Sequence, residues 1–241
     1  MSKIKLFCIP YSGASAAVYS SWKKNLSPEI ELCPIELSAH GRRINEPTYE
    51  DVPHAVKDVA LQILRQLKKD EPYAILGHSM GSLLAFEVYH TLVAVGVHEP
   101  VHMFFSGRKA PQDQLEPTEF YKAPEDEFLK VVYMYGGTTP MIMQNEELRN
   151  LFIPILRSDF KLTETYIWRE HKNKIHCPIT IVNGENDLSV SNADMNRWAE
   201  ITDNVCDVYE CKGDHFFLFQ NAQEMLDIIY EQLGLVHVLK V

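Results

Sequence analysis

The sequence predicts an α/β protein built on a mostly parallel sheet, and three patterns carry that prediction. Short apolar runs at 4–10, 30–36, 73–76, 101–105, 179–182 and 205–211 have strand length and end in Pro, Gly or polar residues. Segments of helical periodicity alternate with them, which implies crossover connections and a sheet covered on both faces. One long helical stretch, 111–174, interrupts the alternation and is expected to be a lid inserted between two strands, the other reading being helices that merely cap the sheet. In such a sheet, function belongs at the carboxyl ends of the strands.

Among the helices, 51–69 is the plainest. Val52, Ala55, Val56, Val59, Ala60, Ile63, Leu64 and Leu67 recur at steps of three and four, the spacing of one helix face. Residues 15–26 have mixed helical character, 82–95 carry an apolar helical pattern stopped by Gly96, and 193–201 and 222–233 supply the later helices. A length of 241 residues would accommodate one domain or two small ones, and a single domain over 1–241 is expected.

Charge and composition exclude several functions. With 23 Lys and Arg against 33 Asp and Glu, the net charge of −10 disfavours a nucleic-acid partner, whose phosphates call for clustered cations. The apolar run Leu6 to Ile9 stops at Pro10, too short for a signal-peptide core or a membrane span, so a cytoplasmic protein without membrane association is expected. The five cysteines form no CxxC or Cys/His cluster and read as buried free thiols. The histidines show no ligand pairing, so neither metal nor cofactor is expected.

The chemistry centres on Gly77-His78-Ser79-Met80-Gly81. A GxSxG pentapeptide is weak evidence alone, but this one follows a short strand and opens an apolar helix, the strand-to-helix turn that pushes a nucleophilic serine to the top of an α/β-hydrolase sheet. That fold orders its catalytic residues as Ser, then Asp or Glu, then His. Asp187, in Asn183-Gly184-Glu185-Asn186-Asp187, and His215, in Gly213-Asp214-His215, stand at the required places, with Glu185 and Asp214 as rival acids. The catalytic set is therefore Ser79, Asp187 and His215. The oxyanion hole is expected from the Met80 amide and from Ser12, with Tyr11 the alternative, in Pro10-Tyr11-Ser12-Gly13-Ala14. His78 is expected to pack beside the nucleophile, and His40 to orient a nearby loop.

Taken in order, Cys8 to Ala14, Glu36-Leu37-Ser38-Ala39-His40-Gly41-Arg42, the GHSMG pentapeptide, Gly136-Gly137-Thr138-Thr139-Pro140, Leu156-Arg157-Ser158-Asp159-Phe160 and Gly213 to Leu218 resemble the type II thioesterases that accompany nonribosomal peptide and polyketide synthetases. Two loops depart from that family, which usually has Ala-Gly-Gly at Ser12-Gly13-Ala14 and Pro-Gly-His-Gly at Ser38-Ala39-His40-Gly41. The resemblance implies a stand-alone editing enzyme that clears acyl or aminoacyl groups from the phosphopantetheine arm of acyl or peptidyl carrier proteins. It implies no cofactor of its own, a short acyl pocket under the lid, and a monomer. Integrated thioesterases commonly place the acid after the strand that follows the nucleophile helix, and residues 104–111 hold none.

An acidic carrier would meet a local basic patch, to which Arg42, Arg43, Lys109 or Arg157 would contribute. Two other readings stay open: an acyl-CoA or carboxylester hydrolase using the same triad, and a non-catalytic binding protein on a hydrolase fold.

Overall fold

Six strands form where the apolar runs lie: β1 (Ile4–Ile9), β2 (Ile30–Pro34), β3 (Tyr73–His78), β4 (His102–Ser106), β5 (Ile179–Gly184) and β6 (Cys206–Cys211). The computed structural model describes residues 3–113, 118–135 and 145–235. All five strand pairings are parallel, in the order β2-β1-β3-β4-β5-β6. The winding reverses between β1 and β3, because the chain leaves β1 toward one edge and then builds the rest of the sheet on the other side. Loops leaving the two strands part at that point and open a crevice at their carboxyl ends.

Strand alternation divides the core into two layers. Phe7, Ile9, Tyr73, Ile75, Met103, Phe105, Ile179 and Ile181 face one side, against α1 (Val52–Gln66) and α2 (Met80–Ala94). Leu6, Cys8, Ala74, Leu76, Phe104 and Val182 face the other, against Tyr19, Trp22 and the final helices. Helix α1 starts where the Asp51 carboxylate accepts the His54 amide at 2.9 Å, and it buries Val52, Ala55, Val56, Val59, Ala60 and Ile63. Leu64, expected on that face, is 39% exposed and lies beyond its edge. Helix α2 is buried almost all round, being enclosed between the sheet and its neighbours.

Two expected helices take other forms. Residues Ala16–Lys24 form a 3-10 helix, and the reason is in the packing: Ala16, Tyr19 and Trp22 are its buried residues, a spacing of three that a 3-10 helix eclipses on one face. The 193–201 segment splits into α5 (Asn192–Asn196), capped by reciprocal Ser191 and Asp194 hydrogen bonds, and a 3-10 turn, Arg197–Ile201, that buries Trp198 against Phe105. Between β4 and β5 run α3 (Glu125–Met134) and α4 (Glu146–Glu164), helical as expected. The Gly136 to Pro140 motif lies outside the described residues. Short α6 (Phe217–Gln220) and α7 (Ala222–Gln232) close the fold.

All five cysteines are free thiols, and all but the half-buried Cys206 are buried. No helix among the described residues is long and apolar enough to cross a membrane. Phe7 is fully buried on β1, an interior strand of the sheet. Phe7→Ala should therefore cost about 3–5 kcal/mol of stability, read as a lower urea midpoint with an unchanged denaturant slope.

Candidate active site

Between the last residue of β3 and the first of α2 there is one residue, Ser79, and it turns the chain with φ 54° and ψ −115°. A serine there is strained, at a cost on the order of 1–3 kcal/mol. Packing enforces the turn. A Cβ on Gly77 would lie 2.2 Å from the Gly81 carbonyl oxygen, and one on Gly81 would lie 2.1 Å from that of Ile9, so α2 descends onto β1 and β3 with room for neither. The Ser79 amide donates to the Ser106 carbonyl at 2.8 Å, and the Ser79 carbonyl accepts from the Ser82 amide at 3.0 Å. The side chain is left facing a cavity of about 720 Å³, and the α2 N-terminus adds a partial positive charge beside it.

His215 follows β6 and lines the same cavity. Its Nδ1 lies 2.7 Å from Asp187 Oδ2, and both residues are buried. An ionised carboxylate only accepts, so Nδ1 carries the proton and Nε2 of the neutral ring carries the lone pair. The other Asp187 oxygen accepts from the Ser189 amide at 2.9 Å and its hydroxyl at 2.6 Å. Burial by itself raises the Asp187 carboxyl, but the hydrogen bonds from His215 and Ser189 outweigh it and hold the group below its ordinary value.

The loops bearing Asp187 and His215 are joined by their backbones, Glu185 N to Cys211 O and Asn186 N to Gly213 O, both at 2.9 Å. The rival acids lie elsewhere. Glu185 is exposed, and exposed Asp214 accepts from the Phe216 amide and the Gln220 side chain. His78 packs beside the site with Nδ1 at 3.0 Å from the Ser106 hydroxyl and its ring 5.0 Å from that of His215. Burial, reinforced by the neighbouring His215, pushes its imidazole well below the ordinary value.

The loop after β1 completes the site. Gly13, at φ 79°, follows Ser12 in a turn closed by the Ala14 amide on the Tyr11 carbonyl. Among the described residues neither the Ser12 nor the Met80 amide has an acceptor, whereas the Gly13 amide donates to Asp159 Oδ2 at 2.7 Å. That oxygen also lies 2.9 Å from His40 Nε2, and His40 Nδ1 lies 2.8 Å from the Ser38 carbonyl. Both imidazole nitrogens thus face acceptors, the pattern of an imidazolium. Burial lowers the His40 value, but the bond and charge of Asp159 prevail and raise it.

Asp159 was visible in the sequence only as part of a motif, without a role. Its signal there was position: it stands four and three residues after Ile155 and Leu156 and three before Leu162, on the apolar face of a helix of mixed composition. Ser189 and Arg108, which also lines the cavity, had no signal. The four cations expected to form a basic patch all have partners within the fold. Arg43 pairs with Asp58 and Glu46, Lys109 with Asp194, Arg157 donates to the Tyr121 carbonyl, and the exposed Arg42 lies 3.7 Å from Glu36. Among the described residues, no group of three His, Cys, Asp or Glu side chains is placed to hold a metal ion.

A strained serine at a strand-to-helix turn beside a buried His-Asp pair, on this parallel sheet, defines the α/β-hydrolase class. Within it, the chain belongs to the thioesterase domain family, which matches residues 4–233. It is 34% identical over 235 residues to the gramicidin S biosynthesis protein GrsT of Aneurinibacillus migulanus, covering 98% of this chain and 91% of that one. It is 31% identical to the medium-chain S-acyl fatty acid synthase thioesterase of Anas platyrhynchos, covering 94% and 90%. Among solved structures, ClbQ from the colibactin NRPS/PKS pathway superimposes with a TM-score of 0.92 at 31% identity, covering 97% and 98%.

The His40–Asp159 pair has a pH signature. A raised imidazole value contributes stability that is fully present below the ordinary value of 6.5 and is lost as the pH rises through the raised one. The stability gap between the wild type and Asp159→Asn should therefore narrow as the pH rises above 6.5, measured by urea unfolding across pH.

Proposed function

We propose that the protein is a stand-alone thioesterase that removes acyl or aminoacyl groups from the phosphopantetheine arm of carrier proteins in nonribosomal peptide or polyketide assembly. The observation that carries the reading is the presence of Ser79 and the Asp187-bound His215 on one cavity, in a chain whose family match extends from β1 to the last helix. The likeness to GrsT and ClbQ supports the biosynthetic setting. In this reading the two helices between β4 and β5 are the lid, the carrier domain is the transient partner, and the enzyme acts as a monomer.

The chemistry follows from the proton positions. Ser79 Oγ attacks the thioester carbonyl as His215 Nε2 takes its proton, and Asp187 stabilises the imidazolium through Nδ1. The oxyanion is received by the Met80 and Ser12 amides, whose N–H groups are uncommitted. Collapse of the tetrahedral intermediate breaks the C–S bond, and His215 returns the proton to the leaving thiol. Water then attacks acyl-Ser79, with His215 as base, to release the free acid and the serine. Asp187 stays ionised throughout, consistent with its lowered value.

Mixing the protein with an acylated carrier should yield free acid and regenerated thiol. Ser79→Ala should cut turnover by on the order of 10⁶-fold and Asp187→Asn by about 10⁴-fold, both in folded protein. Wild-type turnover by Ser79→Ala would refute the mechanism. The same acyl group presented as carrier thioester, coenzyme A thioester and simple ester should rank in that order in kcat/KM. Equal rates on ester and carrier would instead favour a general ester hydrolase.

A further inference from the structure

The cavity wall carries a cation with no counterion among the described residues. Two basic residues line it, Arg108 and Lys109, and Lys109 is paired with Asp194 at 3.3 Å. Arg108 has neither an ion pair nor a side-chain hydrogen bond among the described residues; only its carbonyl is engaged, by the Trp198 indole at 3.1 Å. The carboxylates on the same wall have other partners among the described residues. Asp113 pairs with Arg197 through Oδ1, its Oδ2 being buried without a partner, and Glu164 accepts from the Thr118 hydroxyl at 2.9 Å and the Tyr121 amide at 3.0 Å.

Among the described residues the titratable groups that act on the guanidinium are two phenols, Tyr135 and Tyr166, both on the cavity wall and both neutral at ordinary pH. Burial lowers the Arg108 value to about 10, which leaves it a cation under working conditions. Arg108 is half-buried on the cavity wall, and a planar guanidinium is shaped to take a carboxylate through two parallel hydrogen bonds.

Its place along the chain says which part of the substrate. Arg108 directly follows Gly107, whose Cβ, if present, would lie 3.2 Å from His215 Cε1. Consecutive Cα atoms are about 3.8 Å apart, so the Arg108 stem begins within one residue of the catalytic imidazole. The phosphate of a phosphopantetheine arm lies at the far end of an extended chain from the thioester. A carboxylate on a short acyl group lies a few bonds from the reacting carbonyl.

We infer that Arg108 forms an anion subsite in the acyl pocket, and that the enzyme takes short dicarboxylic monothioesters, of malonyl or succinyl type, through the free carboxylate. This rests on the thioesterase reading of the same site. It adds a discrimination that the triad alone does not supply, because Ser79 and His215 treat charged and neutral acyl groups alike.

The test compares kcat/KM for malonyl against isovaleryl and succinyl against 4-methylpentanoyl, each on N-acetylcysteamine, a handle without phosphate. Each pair differs in charge at nearly constant shape. The wild type should prefer the charged member, and Arg108→Met should lower that ratio by roughly ten- to a hundredfold, the worth of a hydrogen-bonded charge. Arg108→Lys should keep part of the preference. Because both substrates are read on one preparation, any loss of folded protein cancels. An unchanged ratio in Arg108→Met, or no wild-type preference, overturns the subsite.

A second arm compares isovaleryl-pantetheine with isovaleryl-4′-phosphopantetheine. A phosphate advantage that disappears in Arg108→Met would assign the cation to the arm and overturn the carboxylate assignment. Failure of the thioesterase reading is separately visible as no wild-type turnover of any thioester. Titration of Ser79→Ala protein with malonyl and isovaleryl N-acetylcysteamine thioesters then decides the subsite by affinity: selective weakening of the malonyl compound by Arg108→Met supports it, and equal affinities refute it.

Discussion

The close descent of α2 onto β1 and β3 is the constraint on which the rest of the structure depends. With a Cβ at Gly77 or Gly81 directed at backbone oxygens 2.2 and 2.1 Å away, the helix could not reach this depth with any larger residue at either place. That depth compresses the connection to Ser79 alone and holds it at a positive φ. The strain is offset by the surrounding core, in which α2 is buried along nearly its full length. A rigid helix start then presents the Ser79 side chain and the Met80 amide together.

The same economy of position governs the two loops that face Ser79. The Asp187 and His215 loops leave adjacent parallel strands and are joined by two backbone hydrogen bonds, which fix the acid relative to the imidazole independently of side-chain rotamers. Across the crevice, Asp159 on α4 receives both the Gly13 amide and His40. The helical insertion is therefore tied to the loop that carries Ser12, and Leu156, one turn earlier on α4, packs directly against Gly13. Any movement of α4 is felt at that loop. Pairing the Asp159 carboxylate with a cationic His40 leaves the buried network electrically balanced, which a lone carboxylate at this depth would not be.

Much of this was legible in the sequence. Strand and helix positions were readable because the strands are short apolar runs and α1 carries its stripe at helical spacing. Where the structure departed, three-dimensional packing decided: the Ala16, Tyr19, Trp22 spacing selected a 3-10 helix, and Trp198 drew its segment off the line of α5. Ser79, Asp187 and His215 were legible as an ordered set because parallel strands with crossovers deliver successive loops to one end of the sheet.

What the sequence by itself determined was the chain order of Ser79, Asp187 and His215, together with the periodicities that build the sheet beneath them. What only the tertiary structure decided was which groups share an environment. Asp187, rather than Glu185 or Asp214, is the carboxylate that meets His215, a matter of loop conformation that spacing does not encode. Asp159 and His40 meet across 119 positions of chain, and Arg108 stands without a counterion among the described residues while Asp113, on the same cavity wall, pairs with Arg197. Local patterns record hydrophobic period and turn chemistry; electrostatic pairing between distant segments exists only once the chain has closed on itself.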